Sequence, residues 1–221
     1  ILLNGATYAK WTTKTSLPES KIVNTSASFR DRFIEVNENV AHQHGKDIDH
    51  SHTGTAFTTW LDLKQAEQQA GAIRDALIKL LPGSERTIKN NFAALQKNLQ
   101  ALDTELRGIA VEFGEAPLVG SHPIYQYLAR GYDLKIRSVH WEPDKMPDED
   151  DWAELVAIRK EHPAKIMLWE GEPDKAIARK LLEQGVLSVV FDPCGNRPYE
   201  GDWFSVIKSN VSQLGRVAPK K

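Results

Sequence analysis

Residues 116–139 read Ala-Pro-Leu-Val-Gly-Ser-His-Pro-Ile-Tyr-Gln-Tyr-Leu-Ala-Arg-Gly-Tyr-Asp-Leu-Lys-Ile-Arg-Ser-Val. A short apolar run stops at Gly120, a helix candidate runs from His122 to Gly131, and a second apolar run starts at Leu134. The alternation continues to the end of the chain. Strand candidates are Pro117–Gly120, Leu134–Val139, Lys165–Trp169 and Leu187–Phe191. Helix candidates are His122–Gly131, Asp150–Glu161 and Asp174–Gly185, with a last one after Asp202. A succession of βα units predicts a parallel sheet covered by helices.

In open parallel sheets, ligands bind beyond the carboxyl ends of the strands. Here those ends carry Ser121-His122, His140-Trp141-Glu142, Glu170-Gly171-Glu172 and Asp192-Pro193. Each holds a metal ligand or an acid. One such residue reads equally as a helix cap or a solvated loop group, Asp192 above all. Four in succession point to a site. His122 is expected to open its helix, where the dipole favours the neutral imidazole that ligates. His162 follows a helix and is expected at the surface.

Upstream, Ile88, Phe92, Leu95, Leu99, Leu102, Leu106 and Ile109 form one unbroken apolar row. The row predicts a helix capped by Ser84, about 28 residues and roughly 40 Å long. Such a helix is either a partner in a coiled coil or bundle or a spine between two lobes, and the βα units that follow favour the spine. A further helix opens at Thr59-Trp60-Leu61-Asp62, with Ala66, Ala70, Ile73, Leu77 and Leu80 on one face, and stops at Pro82-Gly83. Nearer the start, Leu2-Leu3 before Asn4-Gly5 and Lys21–Asn24 are strand candidates. Between them a short helix over Ala6–Thr15 is expected, with Trp11 on its inner face. Ser26–Val40 has little pattern. Ile1–Gly5 resembles a strand entered midway, so a longer protein is expected.

Residues 42–52, His-Gln-His-Gly-Lys-Asp-Ile-Asp-His-Ser-His, hold four of the chain's seven histidines together with Asp47 and Asp49. Imidazole and carboxylate suit zinc and similar ions. No apolar periodicity crosses the run, and Gly45 and Gly54 loosen it, so it reads as a metal-binding surface loop; the alternative is a merely solvated one.

With 41% hydrophobic and 26% charged residues over 221, the chain suits a folded protein of one large or two small domains. A net charge of −2 gives no sign of nucleic acid or an anionic membrane as partner. No apolar run approaches the roughly 20 residues of a membrane span. The single cysteine, Cys194, excludes an internal disulfide and cysteine-rich zinc sites.

Leu3-Asn4-Gly5, the histidine loop, Trp60-Leu61-Asp62, Leu80-Leu81-Pro82, Val119-Gly120-Ser121-His122, Tyr125-Gln126-Tyr127-Leu128 and Phe191-Asp192-Pro193 occur in an order that resembles one family across essentially the whole chain. These are the cluster A-I solute-binding proteins of zinc and manganese ABC transporters. The resemblance implies an α/β fold of two lobes with parallel sheets, joined by one long rigid helix. The expected division is 1–83 for the remainder of the N-terminal lobe, 84–113 for the linking helix and 114–221 for the C-terminal lobe. It implies that a segment with the first histidine ligand precedes Ile1. His122 falls on the family's C-terminal histidine and Asp192 on its last acidic ligand. The family's Asp-Pro-His corresponds to Ala56-Phe57-Thr58, so one imidazole is absent.

The resemblance implies an extracytoplasmic receptor that delivers zinc, or less readily manganese, to an ABC permease as a monomer and does no chemistry on the ion. His122, Asp192, His52 and His50 are the expected metal ligands, with His42 and His44 binding weakly. Thr58, His140, Glu142 and Glu170 are expected behind the ligands. His52, folded back at Gly54, is expected in place of the imidazole missing at Thr58. Two rivals remain. One is an inactive relative that binds metal poorly. The other is a zinc hydrolase, in which a metal-bound water would fill the fourth position; the absence of His-Glu-x-x-His counts against it.

Overall fold

A computed structural model describes residues 1–38, 52–198 and 200–219. The chain divides into two units, residues 1–60 with 64–97, and residues 61–63 with 98–221.

In the first unit, β1 (Leu2–Leu3) and β2 (Val23–Asn24) pair in parallel, Leu2 opposite Val23. Gly5 turns the chain at φ +81°; a Cβ there would collide with Ser26 Oγ, so only glycine fits. The helix expected over Ala6–Thr15 is a single 3-10 turn at Lys10–Lys14, and Trp11 is 55% exposed rather than inward. Five residues give that turn no second layer to bury an indole against. The weakly patterned stretch holds a 3-10 segment at Ala27–Arg32 and then β3 (Glu35–Glu38). β3 pairs antiparallel with β4 (His52–Thr55), Glu38 opposite His52 and Val36 opposite Gly54.

Helix α1 (Leu63–Leu80) starts just after Trp60-Leu61-Asp62 and buries Leu63, Gln65, Ala66, Gln69 and Ala76. Gln69 ties the first unit together: its amide donates to Asn4 Oδ1 at 2.8 Å and Thr25 Oγ1 at 3.1 Å, and accepts from Thr59 Oγ1 at 3.2 Å. Helix α2 (Glu85–Phe113) opens one residue after Ser84, which sits in a 3-10 turn from Pro82. At about 1.5 Å per residue it is roughly 43 Å long. Its apolar row is not equally buried. Leu99, Leu102, Leu106, Ala110 and Phe113 lie in the core of the second unit. Ile88, Phe92 and Leu95 instead line a cavity of about 190 Å³ with Ala70, Ile73 and Leu77, where the Arg74 guanidinium lies 4.3 Å from the Phe92 ring.

The second unit is a four-stranded parallel sheet in the order β6-β5-β7-β8: β6 (Lys135–Ser138), β5 (Pro117–Gly120), β7 (Ile166–Trp169) and β8 (Leu187–Val190). Consecutive residues Leu118 and Val119, and Met167, Leu168 and Trp169, are all fully buried. Successive strand side chains point to opposite faces, so both faces of the sheet are covered. One face packs Val119, Met167, Trp169, Leu155, Ile177 and Leu181 into a single cluster. Helices α3 (Gln126–Tyr132), α4 (Glu149–Glu161), α5 (Lys175–Glu183) and α6 (Trp203–Val217) connect and cover the strands. Asp148 and Asp202 start α4 and α6 in reciprocal caps with Asp151 and Ser205.

Two expectations fail here. His162 is half-buried, not a surface residue: its Nε2 lies 2.8 Å from the Leu118 carbonyl. His122 does not open α3, because a turn closed by Ile124 N–H to the His122 carbonyl, 2.9 Å, holds Pro123 and delays the helix to Gln126. Among the described residues, no helix is long and apolar enough to cross a membrane.

Candidate metal centre

The backbone at the carboxyl end of the sheet places the donors. Past β5 and β6 the ladder continues: Val139 N–H donates to Gly120 O at 3.0 Å, and Trp141 N–H to Ser121 O at 2.7 Å. Ser121 N–H donates to Leu168 O of β7 at 2.8 Å, and Phe191 N–H to Trp169 O at 2.8 Å. Gly120 is required in this tight corner, since a Cβ would meet Tyr125 Cδ2 at 2.8 Å and Ser138 Oγ at 2.9 Å. Trp141, 2% exposed, is wedged against the Trp152 ring at 4.7 Å and the Trp169 ring at 6.3 Å. That wedge fixes the residues on either side of it, His140 and Glu142.

The result is a cluster of His122, Glu142 and Glu170, each with one ligand atom within 4.8 Å of the others. His122 Nε2 stands 3.5 Å from Glu142 Oε1, and His122 Nδ1 stands 3.7 Å from Glu170 Oε1. His122 Nδ1 also lies 3.1 Å from the Trp141 carbonyl oxygen. A carbonyl only accepts, so in this bond Nδ1 carries the proton and Nε2 keeps its lone pair. Burial pushes the Glu170 carboxyl above the usual range; His122 opposes the rise, while Glu142 and Asp192 add to it. One imidazole and two carboxylates are a donor set that suits a borderline divalent cation.

The expected ligands are distributed as follows. His122 is in the cluster. Glu142 and Glu170, expected behind the ligands, stand in it as well. Asp192 is not a member. Its Oδ1 accepts from Cys194 N–H at 2.6 Å, and its backbone is clamped by Asn210, which accepts from Asp192 N–H at 3.2 Å and donates to Asp192 O at 2.6 Å. The His140 ring centre is 6.0 Å from that of His122. Thr58 is buried in the first unit. The chain does not fold back at Gly54: residues 52–55 are extended in β4, because Gly54 is held in the ladder opposite Val36. His42, His44 and His50 lie outside the described residues, and of His52 only the backbone is described.

Two contributors had no signal in the sequence. The Trp141 carbonyl belongs to the backbone and has no residue type. Asn210 lies 18 residues from Asp192 in the middle of α6, where an asparagine ordinarily reads as solvent-facing. Tyr125, buried at 1% exposure, closes the floor by donating its hydroxyl to the Phe191 carbonyl at 3.0 Å; burial, then Glu170 and Asp192, hold its proton on well above the usual phenol range.

Comparison with known proteins gives this arrangement a context. A family model for the periplasmic component A of zinc-uptake complexes matches residues 1–217. A putative metal-binding protein of Treponema pallidum is 26% identical over 190 residues, covering 82% of this chain and 60% of that protein. The chain thus spans about 60% of the length of that relative. The zinc-binding protein TroA of the same organism is 29% identical over 82 residues, 36% of this chain and 27% of TroA. Among solved structures, the metal-dependent lipoprotein YcdH of Bacillus subtilis superimposes with a TM-score of 0.80 at 19% identity, over 99% of this chain and 80% of YcdH. The Zn(II)-bound ZnuA-like domain of Streptococcus pneumoniae AdcA gives 0.77 at 20% identity, over 99% of this chain and 79% of that domain. These likenesses carry the parallel α/β fold, and the match of the family model over residues 1–217 carries the kinship: the chain belongs to the family of periplasmic component A proteins of zinc-uptake complexes.

Proposed function

We propose that this chain is the metal-carrying part of an extracytoplasmic receptor that binds zinc and hands it to the permease of an ABC importer. The convergence of His122, Glu142 and Glu170 at the carboxyl end of a parallel sheet carries the reading. The ion is cargo, and the protein changes no bond in it. The match of the zinc-uptake component family over residues 1–217 supports carriage over hydrolysis. Asp192, outside the cluster, is a candidate for a further donor through the oxygen that the Cys194 amide does not hold. Zinc suits the imidazole better than manganese does, since harder ions prefer oxygen donors alone. His42 and His44 are a separate, weaker class of site, while His50 and His52 stay candidates for the tight one. The receptor is read as a monomer with the permease as its protein partner and with no nucleic-acid partner.

The test is metal analysis and zinc titration of the untagged protein, beside His122→Ala. Zinc bound near neutral pH by the parent, and lost from the tight class in His122→Ala, is the expected result. A parent that takes up no zinc refutes the proposal.

A further inference from the structure

The geometry points to Glu142 as a direct ligand of the ion, paired with His122 Nε2, and to Glu170 as a flanking charge on the other side of an imidazole that the Trp141 carbonyl orients. This inference rests on the metal-receptor reading above. It begins with the tautomer. The Trp141 carbonyl, 3.1 Å away, takes the Nδ1 proton of His122, so the nitrogen with a free lone pair is Nε2. Glu142 Oε1 is the carboxylate oxygen recorded beside Nε2, at 3.5 Å. Two donors each about 2.0–2.2 Å from one tetrahedral ion lie roughly 3.3–3.5 Å apart. The His122–Glu142 pair already has the length of one edge of that tetrahedron.

Glu170 approaches the protonated side, 3.7 Å from Nδ1. The one Nδ1 proton is already given to the Trp141 carbonyl, so the ring is held by that carbonyl, and Glu170 adds only its charge, which favours electron density on the opposite nitrogen. Exposure agrees with this division. The Glu142 side chain is 54% exposed, open to an arriving ion, while that of Glu170 is 30% exposed. Glu142 is nonetheless not adrift, because it follows the wedged Trp141, and the next residue, Pro143, accepts from Asp174 N–H at 2.8 Å. A residue outside the histidine loop thus supplies a strong donor from the β6–α4 connection.

A ligand swap tests this on the full chain, loaded with half an equivalent of zinc so that the tight site fills first. Glu142→Gln should weaken zinc binding at least tenfold, about 1.4 kcal/mol, in competition with a chelator. Glu142→His should restore binding, and zinc-edge X-ray absorption should then count one more imidazole around the ion than in the parent. A charge acting from a distance, or a purely structural carboxylate, would give neither the rescue nor the added imidazole. If Glu142→Gln binds like the parent, or Glu142→His leaves the imidazole count unchanged, while His122→Ala still abolishes tight binding, Glu142 is not a ligand and the receptor reading stands. If the parent binds no zinc, both fall.

Discussion

Asn210 offers the sharpest test of how the sheet end is held. It is 2% exposed, accepts from Asp192 N–H at 3.2 Å and donates to Asp192 O at 2.6 Å. Asn210→Leu keeps a side chain of comparable length and removes both partners at once. Each backbone group left unpaired in a buried place costs about 1–3 kcal/mol. Two of them give a loss of roughly 2–6 kcal/mol, offset in part by the added apolar burial, for a net of about 2–4 kcal/mol. Unfolding in urea, followed by the fluorescence of the Trp141–Trp152–Trp169 cluster of the same unit, reads the loss. With a slope of about 2–3 kcal/mol per molar, the midpoint should fall by roughly 1 M. A midpoint that moves less than about 0.2 M would refute the reasoning, because it would mean that water or a shifted backbone satisfies Asp192 without the amide.

Other outcomes follow from the geometry already described. Burial raises the Glu170 carboxyl, so the folded metal-free state holds its proton more tightly than the unfolded one and loses stability as pH rises through and above the ordinary value of 4.5; Glu170→Gln should stabilise the metal-free protein in thermal melts at pH 7, and the gain should vanish below that value. Replacing His42 and His44 together with serine should remove the weak class of zinc sites in calorimetry and keep the tight class; loss of the tight class would place one of these two histidines in it. Hydrogen exchange along α2 should be slow at the amides around Leu99–Ala110 and faster around Ile88–Leu95, following burial; equal protection would contradict a row buried in one half only.

The second unit was the legible half. Parallel strands are buried on both faces, so they appear in sequence as continuous apolar runs, and β5, β7 and β8 lie within a residue of the expected limits. The strand-end residues were legible too, since the chain must leave a parallel sheet where ligands gather. What the sequence withheld was the order of the strands across the sheet. Chain order puts β6 between β5 and β7, whereas the sheet puts β5 in that place, and only then do Glu142 and Glu170 flank His122. Local turns were withheld as well: Pro123 and Ile124 look helical in a window and form a turn in the fold. Trp11 suggested an inner face, but large aromatic residues also occur exposed, and no periodicity over five residues could decide it.

The three residues of the cluster stand just past three neighbouring strands, β6, β5 and β7. Their separation is therefore inherited from the pitch of the hydrogen-bonded ladder, about 4.8 Å between strands, and not from the ion. An arriving cation finds the backbone already frozen and has only carboxylate rotamers to quench, of order 1–2 kcal/mol for each glutamate. The carboxylate torsions, which turn over in picoseconds to nanoseconds at an exposed position, are the quick-moving teeth of a comb whose backbone is already set.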